Sequence, residues 1–171
     1  EAFGRLIAIH RPRLEGMLRR RIEPALGSRL DADGILQEAL TRAWRDWQRN
    51  GPPAISPYAW LYGLAYERLI EAWRHATAGR CDARRDLPWP ERSSVQLGLG
   101  LAASMTTPSG AAARDELKGR VHEALEGLSA DDREVLWLRH FDELDHRAIG
   151  HVLGLSENAA NQRYLRALTR F

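Results

Sequence analysis

The chain has 171 residues, of which 44% are hydrophobic and 28% are charged, and its formal net charge is +2. This composition predicts a globular protein with a packed core and argues against wholesale disorder. The sequence has neither a run of 18 or more apolar residues nor a signal-peptide pattern, so we expect no membrane span and a cytoplasmic location. Its single cysteine, Cys81, excludes an internal disulfide.

The sequence carries no pattern typical of an enzyme. A Gly-rich phosphate loop, a GxSxG elbow and an HExxH motif are all absent. His140, His146 and His151 lie near one another, but spacings of six and five residues do not bring metal ligands onto one face of a helix. We therefore expect no catalytic residues, no metal site and no cofactor.

Three amphipathic segments fill the first 76 residues. Residues 1–26 indicate helices punctuated by Pro12 and Pro24, and residues 31–47 indicate a helix capped by an aspartate. Residues 48–57 are rich in Gly and Pro and predict a loop, and a further helix is expected from Tyr58 to about His75. In the second helix one face is apolar, and the other carries polar and charged residues. These are Gln37, Glu38, Thr41, Arg42, Arg45 and Asp46.

Tyrosines recur every fourth residue in the third predicted helix. Tyr58, Tyr62 and Tyr66 therefore share one helical face. Two interpretations remain open: this face packs into a small core, or its rings stack on unpaired bases.

Residues 77–113 lack helical periodicity and predict a flexible linker between two units. The sequence thus divides into residues 1–76, a linker over 77–113, and a second unit over 114–171. Four helices are expected in the second unit, enough for a small bundle. Residues 116–171 hold 8 basic and 10 acidic residues, a net charge of −2, and most of the acids lie between Glu123 and Asp145. We expect this acidic part to face protein.

The last 26 residues, HRAIGHVLGLSENAANQRYLRALTRF, have the pattern of a helix-turn-helix. An apolar-periodic helix ends at Gly154, and Ser156 is positioned to cap a second helix. The first turns of that helix carry side chains suited to base edges in a major groove, and two later arginines suit phosphates. The former are Asn158, Asn161, Gln162 and Arg163, and the latter are Arg166 and Arg170. The alternative is a helical hairpin with a solvated polar face.

Taken in order, three segments resemble the extracytoplasmic-function (group IV) sigma factors of the sigma-70 family. DADGILQEALTRAWRD resembles the family's second-region helix, and AWLYGLAYERLIEAWR resembles the helix that follows it. ALEGLSADDREVLWLRHFDELDHRAIGHVLGLSENAANQRYLRAL resembles the fourth region nearly end to end. The resemblance implies an all-α fold of two small helical domains, a region 2-like and a helix-turn-helix region 4-like domain, joined by the linker.

It also implies partners and roles. The partners are core RNA polymerase, promoter DNA and an anti-sigma factor. The outward face of the first matched helix would bind polymerase, through Asp33, Gln37, Glu38, Arg42 and Arg45. The loop at residues 50–56 and the face of the next helix would capture a base flipped from the melted promoter, with contacts assigned to Tyr58, Tyr62, Arg68 and Arg74. The final helix would read the more distant promoter element.

The sequence departs from the family pattern at four positions. Glu67 and Glu71 stand where Asn and Asp are usual, which gives the promoter-facing helix two carboxylates. In the helix-turn-helix, Ala148 replaces an acid and Ala160 replaces a valine. Two alternatives to a sigma factor therefore stay open: a sigma-like module that binds an anti-sigma factor, and a simple helix-turn-helix transcriptional regulator.

Overall fold

A computed structural model of the chain describes residues 1–26, 30–76, 116, 119–120, 123–125 and 127–170. The first domain comprises α1 (Ala2–Leu26), α2 (Ala32–Asn50) and α3 (Pro57–Ala76). The second contains α4 (Ala130–His140), α5 (His146–Leu153) and α6 (Glu157–Arg170). The described residues contain no strand, and the predicted all-α fold of two helical domains is confirmed. The linker expected over 77–113 lies outside the described residues.

The helix starts follow from side-chain caps. Asp31 accepts a hydrogen bond from the backbone N–H of Asp33 at the start of α2. Ser129 and Asp145 cap α4 and α5 in the same way, and the Ser156 hydroxyl accepts from the N–H of Ala159 in α6. Each cap satisfies a backbone donor that has no partner within its own helix.

The expectation that Pro12 and Pro24 divide the first segment is wrong, because α1 continues through both. Pro12 lacks the N–H that would bond to the carbonyl of Ala8. Because Pro12 and Ala8 are exposed, water can satisfy that carbonyl. The packing of Leu14 and Leu18, which are fully buried, stabilises the helix beyond this point.

One hydrophobic core runs through both domains. α3 is its central element, packing against α1 and α2 on one side and against α5 on the other. Leu61, Leu69 and Ile149 are among its fully or almost fully buried members. A smaller core lies between α4 and α6, around Leu136 and Ala167. None of the described helices is long and apolar enough to cross a membrane.

Candidate functional site

The helix-turn-helix is formed by α5, the turn at Gly154 and α6. Gly154 ends α5 in the left-handed conformation, with φ of 69°. Gly150 lies at a close approach of α5 to the chain after the turn, because a Cβ atom there would be 2.7 Å from the carbonyl oxygen of Leu155. The Leu155 N–H donates to the Gly150 carbonyl at 2.8 Å. These contacts fix the crossing of the two helices, and only glycine fits at position 150 without a shift of the backbone.

The polar face of α6 is exposed in its first turns. Asn158, Gln162 and Arg166 are exposed and Asn161 is half-buried, whereas Ala160 and Ala167 face the core. Within the described residues, the three amide side chains make no hydrogen bond to another side chain. Their donors and acceptors are therefore available to a ligand such as a base edge.

Two arginines of α6 already have partners in the protein. Arg163 forms an ion pair with Asp131 at 3.1 Å, and Arg170 forms one with Asp132 at 3.0 Å. Both aspartates lie in the first turn of α4, so the two arginines help to hold α6 against α4. Of the predicted phosphate-binding arginines, Arg166 has no ion pair within the described residues.

The second candidate surface is the outward face of α2. Asp33, Gln37, Glu38, Arg42 and Arg45 are all exposed there, as the apolar stripe on the opposite face of the helix predicts. Trp44 departs from that stripe: its side chain is 46% exposed and it packs only partly, against Phe3 at 5.1 Å between ring centroids. The surface thus combines charges of both signs with one apolar ring.

An ion-pair ladder crosses from α2 to α3, and it contains the two unusual carboxylates of α3. Arg42 pairs with Glu67 at 2.8 Å, and Arg68 pairs with both Glu38 and Glu71. The negative charge of Glu67 and Glu71 is therefore balanced locally. The same contacts occupy Arg68, one of the predicted DNA contacts. Arg74, another predicted DNA contact, lies exposed near the end of α3.

The tyrosine stripe of α3 lies inside the protein. Tyr58, Tyr62 and Tyr66 are 7%, 0% and 1% exposed, and successive rings are about 6 Å apart. This burial agrees with the interpretation that the tyrosine face packs into the core. The assignment of Tyr58 and Tyr62 to DNA stays a prediction: in this arrangement Arg13 and His10 of α1 contact the Tyr58 ring, and the Tyr62 hydroxyl bonds to Asp142 of the second domain.

A buried polar network joins the two domains beside Tyr62. Arg21 of α1 bonds to both carboxylate oxygens of Glu134 in α4, at 2.7 and 3.0 Å. The Tyr62 hydroxyl donates to Asp142 at 2.7 Å, and Arg20 donates to the other oxygen of Asp142 at 3.1 Å. Asp142 precedes α5, and its side chain is fully buried.

Electrostatic interactions keep Arg21 charged and Tyr62 protonated in this network. Burial alone would lower the pKa of Arg21, but the neighbouring Glu134, the tyrosines and Asp142 raise that pKa well above its usual value. Burial, together with the hydrogen bond to Asp142, raises the pKa of Tyr62 well above 10, although Arg21 opposes this. Arg21 thus stays charged and Tyr62 stays protonated, as their bonds to the carboxylates require.

Comparison with known proteins assigns the family. Residues 6–78 match Sigma-70 region 2, and residues 118–171 match Sigma-70, region 4. The ECF RNA polymerase sigma factor SigD of Mycobacterium tuberculosis is 31% identical over 172 residues, covering 99% of this chain and 74% of SigD. The chain belongs to the extracytoplasmic-function sigma factors. The RNA polymerase sigma-H factor of Pseudomonas aeruginosa is also similar, at 27% identity over 168 residues, covering 97% of this chain and 82% of that protein.

The sigma factor therefore presents its polar surfaces on two different family regions. The exposed α2 face belongs to region 2, and the recognition helix α6 belongs to region 4. The resemblance seen in the sequence is confirmed, and with it the function of a sigma factor, which recognises promoters together with RNA polymerase.

Sequence reasoning missed the buried network between the regions. Arg19, Arg20 and Arg21 form a run that is more often a solvated helix face. One signal was present: Arg21 follows Leu14 by seven residues and Leu18 by three, so it lies on the apolar face of α1. An arginine on that face predicts a buried carboxylate partner, but not that the partner lies more than a hundred residues away.

Proposed function

We propose that this sigma factor binds core RNA polymerase through the outward face of α2 and reads duplex promoter DNA with the first turns of α6. The observation that carries the proposal is the exposed polar face of α6 behind a helix-turn-helix crossing fixed at Gly150. A recognition helix needs both features: a rigid support, and amide or guanidinium groups free for base edges.

On α6, the side chains divide between reading and positioning. Asn158, Asn161 and Gln162 have unused amide groups and suit base edges, and Arg166 suits a phosphate. Arg163 and Arg170, paired with aspartates of α4, contribute to DNA binding only after exchanging those partners. We expect weak binding by region 4 alone, because its last 56 residues carry a net charge of −2.

On α2, polymerase binding is supported by exposure and by mixed charge. Asp33 and Glu38 carry exposed carboxylates five residues apart in α2, and Arg42 and Arg45 continue the face from Glu38. Complementary charges of this kind set the register and the association rate of an interface. We infer a cytoplasmic site of action, because polymerase and promoter DNA meet there.

For strand opening, we propose the loop at residues 50–56 and the exposed side of α3 as the surface that captures unpaired bases. Arg68 and Arg74 supply positive charge on this side, and Tyr58 and Tyr62 do not take part while the domains are packed together. Unstacking costs a few kcal/mol per base step, so captured bases must offset that cost.

An anti-sigma factor is a further proposed partner. The groove between α1 and α2 combines charged residues with the half-exposed ring of Trp44, which gives a protein ligand an apolar anchor. A protein bound there would cover part of the α2 face and compete with polymerase. Titration of the sigma factor–polymerase complex with a candidate inhibitor, with Trp44→Ala as the variant, tests this competition.

Reconstitution with core polymerase and sequencing of the transcript starts tests the main proposal. Reversing charge at Asp33 and Glu38 to Arg should reduce specific initiation by at least about tenfold, because like charges then meet at the interface. Glu1→Arg, an exposed reversal at the start of α1, is the control. Gln162→Ala should instead keep polymerase binding and alter promoter choice.

The result also separates the alternatives. A simple helix-turn-helix regulator would protect duplex DNA tightly without polymerase. A sigma-like interaction module would bind a regulator but give no transcript with any promoter. Either result would overturn the proposal.

A further inference from the structure

We propose that the free sigma factor is held closed by a latch in which the turn before α5 inserts Asp142 into region 2. The latch consists of Arg20, Arg21 and Tyr62 on the region 2 side and of Glu134 and Asp142 on the region 4 side. The consequence of the latch rests on the proposed function: polymerase must open the latch before region 2 and region 4 can bind at separate sites.

The position of Asp142 carries the argument. Its carboxylate is fully buried, and the side chains that contact it, Arg20, Arg21 and Tyr62, all belong to region 2. Within region 4, its described bond is from its backbone N–H to the carbonyl of Trp137. Region 4 therefore keeps a buried carboxylate whose described side-chain partners all belong to the other domain.

Neighbouring contacts hold the same turn in place. Arg13 of α1 donates to the backbone carbonyl of Asp142 at 3.3 Å and lies 3.6 Å from the carboxylate of the exposed Glu143. Arg13 also stacks over the ring of Tyr58, with 4.0 Å between its guanidinium carbon and the ring centroid. Three arginines of α1, Arg13, Arg20 and Arg21, thus converge on one acidic turn of region 4.

Close packing accompanies the charges. A Cβ atom at Gly63 of α3 would lie 3.3 Å from the imidazole of His151 on α5, so the absence of a side chain at position 63 allows α5 to approach. Ile149 and Val152 of α5 share the core with α3. The tyrosine face of α3 is also buried in the closed form, where the Tyr62 hydroxyl donates to Asp142.

Such a latch suits reversible opening better than a wholly apolar interface would. When the domains separate, the charges of Arg21, Glu134 and Asp142 regain water, and this hydration offsets much of the lost attraction. Only the open form can bind polymerase through region 2 and region 4 at once. The apparent affinity for polymerase is therefore reduced in proportion to the fraction of molecules that are open. A change that weakens the latch should therefore strengthen binding to polymerase.

The test uses Asp142→Asn in the full chain, which keeps the shape of the side chain and removes its charge. Small-angle scattering should show a larger radius of gyration for the variant than for the wild type. Competition for limiting core polymerase should show an apparent affinity raised by about tenfold, as loss of one charged hydrogen-bond partner implies. Glu1→Gln is the control: it removes an exposed charge at the start of α1 that has no described contact with the latch, and it should leave both measurements unchanged.

Arg20→Gln provides the same test from the other domain, on a side chain that is 43% exposed. It should act in the same direction as Asp142→Asn with a smaller effect, and circular dichroism checks that both variants are folded. An extended wild-type chain in solution would overturn the latch. Opening by Asp142→Asn without a gain in polymerase binding would overturn its regulatory role. Failure of every variant to bind polymerase would refute the proposed function, while the scattering result would still report on the closed form.

Discussion

Two arginine–carboxylate networks in this protein share their chemistry and differ in burial. The ladder between α2 and α3 pairs Arg42 with Glu67 and Arg68 with Glu38 and Glu71, and its side chains are 34% to 60% exposed. The network between the domains centres on Arg21 and Asp142, whose side chains are 5% and 0% exposed. In the first network, water can replace either partner; in the second, it cannot unless the domains separate.

This difference predicts different roles. Exposed ion pairs contribute little to stability, so the ladder is free to exchange its partners for polymerase or DNA. A buried charge that loses its partner is costly, so the interdomain network fixes one arrangement of the domains. Substitutions should therefore have their largest effect on stability at the buried cation and their smallest in the exposed ladder.

Removing the central cation should separate the networks most clearly. Arg21→Met leaves Glu134 and Asp142 without their shared partner, and we expect the free energy of unfolding of the closed form to fall by about 3–5 kcal/mol. Urea unfolding measures this loss, and small-angle scattering shows whether the domains separate to relieve it. Arg42→Met in the exposed ladder is the matched control and should cost less than about 1 kcal/mol. Equal losses in the two variants would show that burial does not distinguish the networks.

The sequence predicted the positions of residues in the exposed ladder better than those in the buried network, because exposure on one helix follows from its local pattern. Apolar periodicity in residues 31–47 placed Gln37, Glu38 and Arg42 outward, and capping residues and Gly154 located the helix-turn-helix. These features depend on neighbours within a few turns, which a local pattern records.

Contacts between distant segments could not be predicted in this way. Tyr58 and Tyr62 occupy a helical face that is equally consistent with bases or with core. Their burial in this arrangement depends on contacts with distant segments, such as the hydrogen bond from Tyr62 to Asp142. The partnership of Arg21 with Glu134 spans 113 residues and leaves no local pattern. The path of α1 through Pro12 likewise depends on packing elsewhere along the helix.

Loss of one neutral donor should have an intermediate effect. Tyr62→Phe removes the hydroxyl that donates to Asp142 at 2.7 Å and keeps the ring in the core. We expect a loss of about 1–2 kcal/mol, because one buried carboxylate oxygen loses its closest donor. Tyr164→Phe is the matched control, since that hydroxyl lies 3.3 Å from His140 in an exposed contact. If Tyr62→Phe lowers the free energy of unfolding by less than Tyr164→Phe does, the bond from Tyr62 to Asp142 does not stabilise the latch.

High pH should weaken the buried region and spare the ladder. Burial raises the pKa of Tyr58 to about 12, from about 10 in an unfolded chain. The folded form therefore holds this proton more tightly, and the stabilisation is complete below pH 10 and lost as the pH rises through 12. We expect urea unfolding to show a loss of about 1 kcal/mol on going from pH 9 to pH 11. Tyr58→Phe should reduce this loss of stability at high pH. A loss of the same size in Tyr58→Phe would show that the Tyr58 hydroxyl is not its source.

The smallest effect on stability should come from the ladder itself, together with a gain in function. Glu71→Gln removes one of two carboxylates that hold Arg68, and we expect a change in unfolding free energy within about 0.5 kcal/mol. Arg68 is then held by Glu38 alone and can turn more readily to a promoter phosphate, so polymerase carrying this variant should bind promoter DNA more tightly and with a steeper dependence on salt. Glu1→Gln, an equal charge change at the start of α1, is the control. A fall in promoter affinity with Glu71→Gln would mean that Arg68 acts in the ladder by supporting α2 rather than by contacting DNA.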